Sequence, residues 1–216
     1  MAIKTIYSKD FRHIYAVGDI HGEITQFEEA LRKVNFDKKQ DLILSVGDLI
    51  DRGENSFACL RLMDEPWFEC VMGNHEKMAF DAITKRTLGL VMYWKSNGGN
   101  WFYELKGNAE AKRLLIKAGS LPLIIELIEP NKKTVICHAD YPLDHYSTDI
   151  GGLDMHLLWS RERIRRAKEG YTTEIKGADL FIFGHTPLKE PLKAANQVYI
   201  DTAACFGNKL TIMQLT

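Results

Sequence analysis

The first half of the chain alternates short, continuous apolar runs with segments whose apolar positions recur at helical spacing. Residues 13–17, 42–46 and 67–72 form the continuous runs, and they predict three strands. Between them, Ile24, Phe27, Leu31 and Val34 share one face of a helix predicted over residues 25–34, where Thr25 and Glu28 are spaced for a capping box. A second helix is expected over 56–63, closed by Glu65 and Pro66, and a third after Asn74. Strand and helix in alternation argue for a parallel or mixed sheet with helices on its faces.

Residues 87–119 read as helical, with a break at Asn97-Gly98-Gly99. The aromatics Tyr93, Trp94, Trp101, Phe102 and Tyr103 lie at helical spacing there and are read as core rather than as a binding wall. Beyond Pro122 the pattern turns to strands, over 123–128, 134–137, 180–183, 198–200 and 210–215. Asn131-Lys132-Lys133 and Gly207-Asn208 are read as hairpin turns. The polar stretch 140–177 contains one expected helix, 161–168. No repeat, low-complexity tract or linker interrupts the 216 residues, so a single α/β (α+β) domain over 1–216 is expected.

Composition narrows the function. Hydrophobic residues make up 45% and charged residues 26%, the balance of a soluble globular chain. The net charge of −1 carries no basic excess, so neither a nucleic-acid partner nor a membrane surface is expected. No run approaches the roughly 18 apolar residues that would span a bilayer, and the N-terminus lacks an apolar segment of signal-peptide length. Cysteines at 59, 70, 137 and 205 form no close pair, which argues against a zinc knuckle or redox motif. So few cysteines in a chain of this size point to a reducing compartment, and a cytoplasmic location is expected.

The chemistry concentrates in three motifs: Gly18-Asp19-Ile20-His21-Gly22, Gly47-Asp48-Leu49-Ile50-Asp51-Arg52-Gly53 and Gly73-Asn74-His75-Glu76. Each follows a strand-like run, as do two later histidines, His138 and His185. Open α/β sheets gather ligand sites at the carboxyl ends of their strands, so Asp19, Asp48, Asn74, His138 and His185 can converge on one rim. Asp19 and His21, two apart, point the same way in an extended segment, and Asp48 has two oxygens with which to bridge two ions. Mixed nitrogen and oxygen donors without thiolate suit manganese, iron, zinc or cobalt. Two such ions clamp a phosphate and acidify a water. Phosphate-ester cleavage also needs a proton for the leaving oxygen. His75 is the candidate donor, with Asp51 to fix its tautomer. Arg52 is a candidate phosphate ligand. A second arginine falls among Arg161, Arg163, Arg165 and Arg166, and spacing alone does not choose between them.

These motifs resemble the signature of the phosphoprotein phosphatase group of metallophosphoesterases. The likeness extends through Leu121-Pro122-Leu123, Cys137-His138-Ala139-Asp140, Arg161-Glu162-Arg163 and Gly184-His185-Thr186-Pro187, so it covers nearly the whole chain, and it is greatest to the lambda-type phage and bacterial enzymes. The resemblance implies the calcineurin-like fold, a central mixed β-sandwich flanked by helices. It implies one metal on Asp19, His21 and Asp48 and a second on Asp48, Asn74, His138 and His185. Manganese is the first choice, with iron, zinc, cobalt or nickel as alternatives. It implies His75 as proton donor supported by Asp51, phosphate binding by Arg52 and Arg161, and direct attack by a metal-bridging water without a phosphoenzyme. The substrates implied are phosphoserine and phosphothreonine proteins, with phosphotyrosine as a further substrate. Monomers and homodimers both occur in the group.

Three departures stand out. Glu23 follows the first motif where relatives often carry cysteine, and it either tunes substrate charge preference or begins the helix. The later motif reads His138-Ala139-Asp140. Residues 201–205 read Asp-Thr-Ala-Ala-Cys in place of the usual Asp-Thr-Gly, leaving Asp201 as a group behind the site or a structural hydrogen-bonding residue. Two rival readings share the scaffold. One is a symmetrical diadenosine tetraphosphate hydrolase, against which Asp51 and Glu76 speak. The other is a non-catalytic phosphoprotein-binding module, against which the intact ligand set speaks.

Overall fold

A computed structural model describes residues 2–216. The first motif-bearing strands, β2 (Ile14–Val17), β3 (Leu42–Ser45) and β4 (Phe68–Cys70), run parallel, and β10 (Ile212–Gln214) closes their sheet antiparallel to β2. A second sheet has the order β1 (Ile3–Tyr7), β5 (Ile124–Glu129), β6 (Lys132–Cys137), β7 (Leu180–Phe183), β9 (Gln197–Tyr199), β8 (Leu192–Ala194). Strand alternation builds the sandwich. Ile14, Ala16, Leu42 and Leu44 of one sheet meet Ile125, Leu127, Ile136 and Ile182 of the other in a wholly apolar core.

The opposite faces are covered by helices. Tyr15, Val17 and Ile43 pack under α1 (Ile24–Lys33), α2 (Ser56–Arg61), α3 (Asn74–Lys85) and α6 (Ala109–Ala118) through Phe27, Leu60, Ala79 and Leu114. Val135, Phe181 and Phe183 pack under α7 (Asp154–Trp159) and α8 (Glu162–Lys168) through Leu157 and Ile164. Between α3 and α6 lie α4 (Leu88–Ser96) and α5 (Asn100–Glu104), separated at Asn97-Gly98-Gly99 as the sequence predicts.

Four local details differ from expectation. Glu23, not Thr25, occupies the N-cap of α1. Thr25 instead donates its backbone N–H to Glu54 Oε1 at 3.0 Å, so the Thr25–Glu28 box does not form. Gly207-Asn208 turns no hairpin, because β9 and β10 belong to different sheets; Gly207 follows the 3-10 turn Ala204–Phe206. The 140–177 stretch contains α7 as well as α8. The central aromatics are only partly core: Trp94 is fully buried, while Tyr93 and Tyr103 are exposed.

Candidate metal and phosphate site

The carboxyl ends of β2, β3 and β4 face those of β6 and β7, and the five ligand-type residues beyond them come together. Asp19 accepts from the backbone N–H of His185 at 3.0 Å, across 166 residues. Asn74 Oδ1 lies 2.8 Å from His138 Nε2 and 2.9 Å from His185 Nδ1. Asp48 Oδ2 lies 3.5 Å from His21 Nε2 and 3.4 Å from His138 Nε2. All six side chains are buried. Close approach demands glycine here: a Cβ on Gly184 would land on Asp19 Oδ1, and one on Gly73 on Asp48 Oδ1. His21, Asp48, Asp51, Arg52 and His185 all have positive φ although none is glycine. Such backbone strain, concentrated in one place, is a mark of a functional site.

The imidazoles show what the site is built to hold. Nδ1 of His21 meets Ile50 O, Nδ1 of His138 meets Val46 O, and Nε2 of His185 meets Trp159 O. A carbonyl can only accept, so each ring donates that N–H; the other nitrogen of His138 and of His185 meets Asn74 Oδ1, while that of His21 accepts from Arg52 Nη1 at 2.7 Å. Burial drives His21 and His185 down to about 3, so both are neutral at pH 7 and present lone pairs. At His185 an acceptor nitrogen therefore faces the acceptor Asn74 Oδ1 at 2.9 Å, an arrangement that a cation satisfies, and at His21 the Arg52 guanidinium supplies the positive charge. Burial opposes charge on Asp48 too, yet His138 and His75 around it hold it well below the ordinary carboxylate range. Against the pull of burial, Asp48 lifts His138 above its usual value, so the surroundings favour positive charge at that nitrogen. Asp19 is raised by burial and by Asp201 and Asp48. This crowding of buried negative charge also fits cation ligation. Two groups of donor atoms lie close enough to hold an ion: His21, Asp48 and His75, and Asp48, His138 and His185; the first has His75 where the sequence reading expects Asp19, whose carboxylate is engaged by the His185 N–H.

His75 differs from the other three. Its Nδ1 meets Asp51 Oδ2 at 2.6 Å, which leaves Nε2 available, and its backbone N–H donates to Asp48 Oδ1 at 2.9 Å. Asp51 is held by two indoles, Trp94 at 3.0 Å on Oδ2 and Trp101 at 2.7 Å on Oδ1, and its own N–H donates to Ser56 Oγ. Sequence reasoning missed these indoles; the available signal was that a buried indole N–H needs an acceptor. Glu76 accepts from the backbone N–H groups of Asp48, Leu49 and Gly73, which locks the second and third motif loops together.

A cleft of about 190 Å³ opens onto this cluster, lined in part by Asp48, Arg52, His75, Asn97 and Arg161. The second arginine is thereby distinguished from its neighbours. Arg163 is bound to Tyr141 O, Leu143 O and Asp144. Arg165 pairs with Glu169, and Arg166 lines a separate crevice beside Tyr171. Of the departures, Glu23 accepts from Gln26 Nε2, and Asp201 accepts from the N–H of Ala203, a structural hydrogen bond.

Residues 12–189 match the calcineurin-like phosphoesterase family, and the chain belongs to it. It is 45% identical to serine/threonine-protein phosphatase 1 of Salmonella typhimurium over 97% of this chain and 95% of that one. It is 41% identical to serine/threonine-protein phosphatase 2 of Escherichia coli, over 97% and 96%. An asymmetrical bis(5'-nucleosyl)-tetraphosphatase of Bacillus cereus is more distant, at 27% identity over 90% of this chain and 87% of that one. Among solved structures, one described as a candidate diadenosine tetraphosphatase shares the fold, with a TM-score of 0.67 at 22% identity, covering 99% and 97% of the two chains. Among the described residues no helix is long and apolar enough to cross a membrane.

Proposed function

We propose that this chain is a metal-dependent serine/threonine protein phosphatase acting on phosphorylated proteins, with 1–216 as one catalytic domain. The observation that carries the reading is the His75–Asp51 pair at 2.6 Å beside the buried donor cluster, at a cleft faced by two arginines. Asp19, His21 and Asp48 would hold one divalent ion, and Asp48, Asn74, His138 and His185 a second. Manganese is the first candidate for both. When bound, such ions polarise a phosphoryl oxygen and lower the pKa of a water.

The protein's own groups do the rest. Arg52 and Arg161 bind the phosphoryl oxygens and orient the ester in the cleft. Asp51 accepts the Nδ1 proton of His75 and fixes the ring orientation, so that Nε2 faces the cleft and delivers a proton to the departing serine or threonine oxygen. Trp94 and Trp101 keep Asp51 from turning away. The test is phosphate release from a phosphothreonine peptide and from diadenosine tetraphosphate, side by side with manganese present. The reading expects the peptide to be preferred; preference for the dinucleotide would move the enzyme to the nucleotide-hydrolysing branch.

A further inference from the structure

The outward face of α4 is apolar where a surface helix should be polar. Leu88 is 76% exposed, Met92 56% and Tyr93 49%. With Gly89 and Ser96, they form one continuous exposed face of uncharged residues, bordered by the half-buried Lys95, whose ammonium lies over the Tyr103 ring. That face runs straight to the catalytic cleft. Asn97, one turn beyond Tyr93, donates its Nδ2 to Tyr93 O and lines the cleft, and the next residue, Gly98, packs against the backbone of Arg52. Trp94, on the opposite side of the same helix, is fully buried and bonded to Asp51. The helix is therefore anchored to the catalytic dyad by its inner face and presents its apolar outer face beside the cleft mouth.

We propose that this face of α4 is a docking track for the substrate polypeptide, receiving bulky apolar side chains that flank the phosphorylated residue. The proposal rests on the protein phosphatase reading. Continuity with the cleft selects this occupant: a chain whose phosphate lies between Arg52 and Arg161 must leave over the cleft rim, and Asn97 is part of that rim. A second copy of the protein fits less well, because three side chains supply a few hundred Å² at most, whereas a stable interface needs about 800 Å² from each partner. The geometry also sets the register. At 1.5 Å per helical residue, Tyr93 lies about 6 Å and Leu88 about 14 Å along the axis from Asn97. An extended peptide advances about 3.3 Å per residue, so these side chains lie about two to four residues from the one seated over Asn97, and with the phosphoresidue taken as that residue the preferred apolar positions are about two to four away from it.

The experiment compares phosphothreonine peptides carrying leucine or serine at each position from two to four residues on either side. The protein is the full chain loaded with manganese. The wild type is expected to favour leucine in this window by roughly three- to tenfold in kcat/KM, the scale for partial burial of one apolar side chain. Leu88→Ser with Met92→Ser is expected to abolish that preference while leaving kcat/KM on the all-serine peptide within twofold, which also reports correct folding. Equal rates for leucine and serine peptides at every position, or a preference that survives the double substitution, would overturn the docking track. So would a wild-type dimer that the double substitution dissociates in sedimentation, since the face would then serve self-association. Failure to cleave any phosphopeptide, with dinucleotide hydrolysis intact, would instead overturn the protein phosphatase reading beneath it.

Discussion

The indole of Trp101 donates to Asp51 Oδ1 at 2.7 Å, while the other oxygen of the same carboxylate meets His75 Nδ1 at 2.6 Å. An aromatic from α5 thus reaches the proposed proton donor through a single side chain. Trp101→Phe keeps most of the bulk and removes the donor. The expected result is a fall in kcat of about three- to tenfold with KM little changed, since Asp51 loses a restraint but keeps Trp94. Steady-state kinetics check it, and an unchanged kcat would show that the indole only packs.

His75→Asn removes the proposed proton donor without taking a side chain from the proposed metal set. Turnover is expected to drop by roughly 10²-fold or more while metal content stays near normal. Wild-type turnover would remove His75 from the mechanism. Asp51→Asn should act in the same direction, because an amide cannot hold the ring in the same state as a carboxylate does.

Asp48 lies within 3.5 Å of nitrogens on both His21 and His138, so it is the residue common to both proposed ions. Asp48→Asn should weaken both ions together. Elemental analysis after dialysis should show a matched loss; two tightly retained ions would contradict a bridging carboxylate.

Ala203 has φ of +58°, a left-handed conformation that a side chain disfavours and glycine adopts freely. Relief of this strain exceeds the extra freedom glycine gains on unfolding. Ala203→Gly is therefore expected to raise stability by about 0.5–1 kcal/mol. Urea denaturation measures this, and a loss of stability would mean that the methyl group makes packing contacts worth more than the strain.

Asp41 supplies a pH signature away from the site. It accepts two bonds from the Arg12 guanidinium, at 2.8 and 2.6 Å, and one from the Asp37 N–H. The Arg12 hydrogen bonds hold its carboxyl below the ordinary value. A depressed pKa contributes stability that is present above the unfolded value, about 3.9, and is lost as pH falls through the folded one. Asp41→Asn should cost about 1–3 kcal/mol at pH 7, and the gap to wild type should narrow below about pH 4. A gap that stays constant down to pH 3 would contradict the assignment.

What the sequence showed was set by how sharply each residue's role constrains its neighbours. Strands β2, β3 and β7 are buried on both faces and so announce themselves as apolar runs. The candidate donors Asp19, Asp48, Asn74, His138 and His185 stood out because each sits just beyond such a run. β1 and β8 were not, because they are the edges of their sheet and only partly covered. Nor could spacing reveal that Trp94 and Trp101 bond to Asp51, which lies 43 and 50 residues away. Between Arg161 and Arg163 spacing was silent and the family resemblance supplied the choice; the fold adds the physical reason, since Arg161 lines the cleft while Arg163 is occupied by Tyr141, Leu143 and Asp144.

The central claim is that buried imidazoles and carboxylates make this chain a metal-dependent phosphatase. Its most direct test is phosphate release from a phosphothreonine peptide by protein stripped of metal with a chelator and then titrated with manganese. The account predicts that stripping abolishes release and that manganese restores it. Release that continues undiminished in fully stripped protein would contradict it.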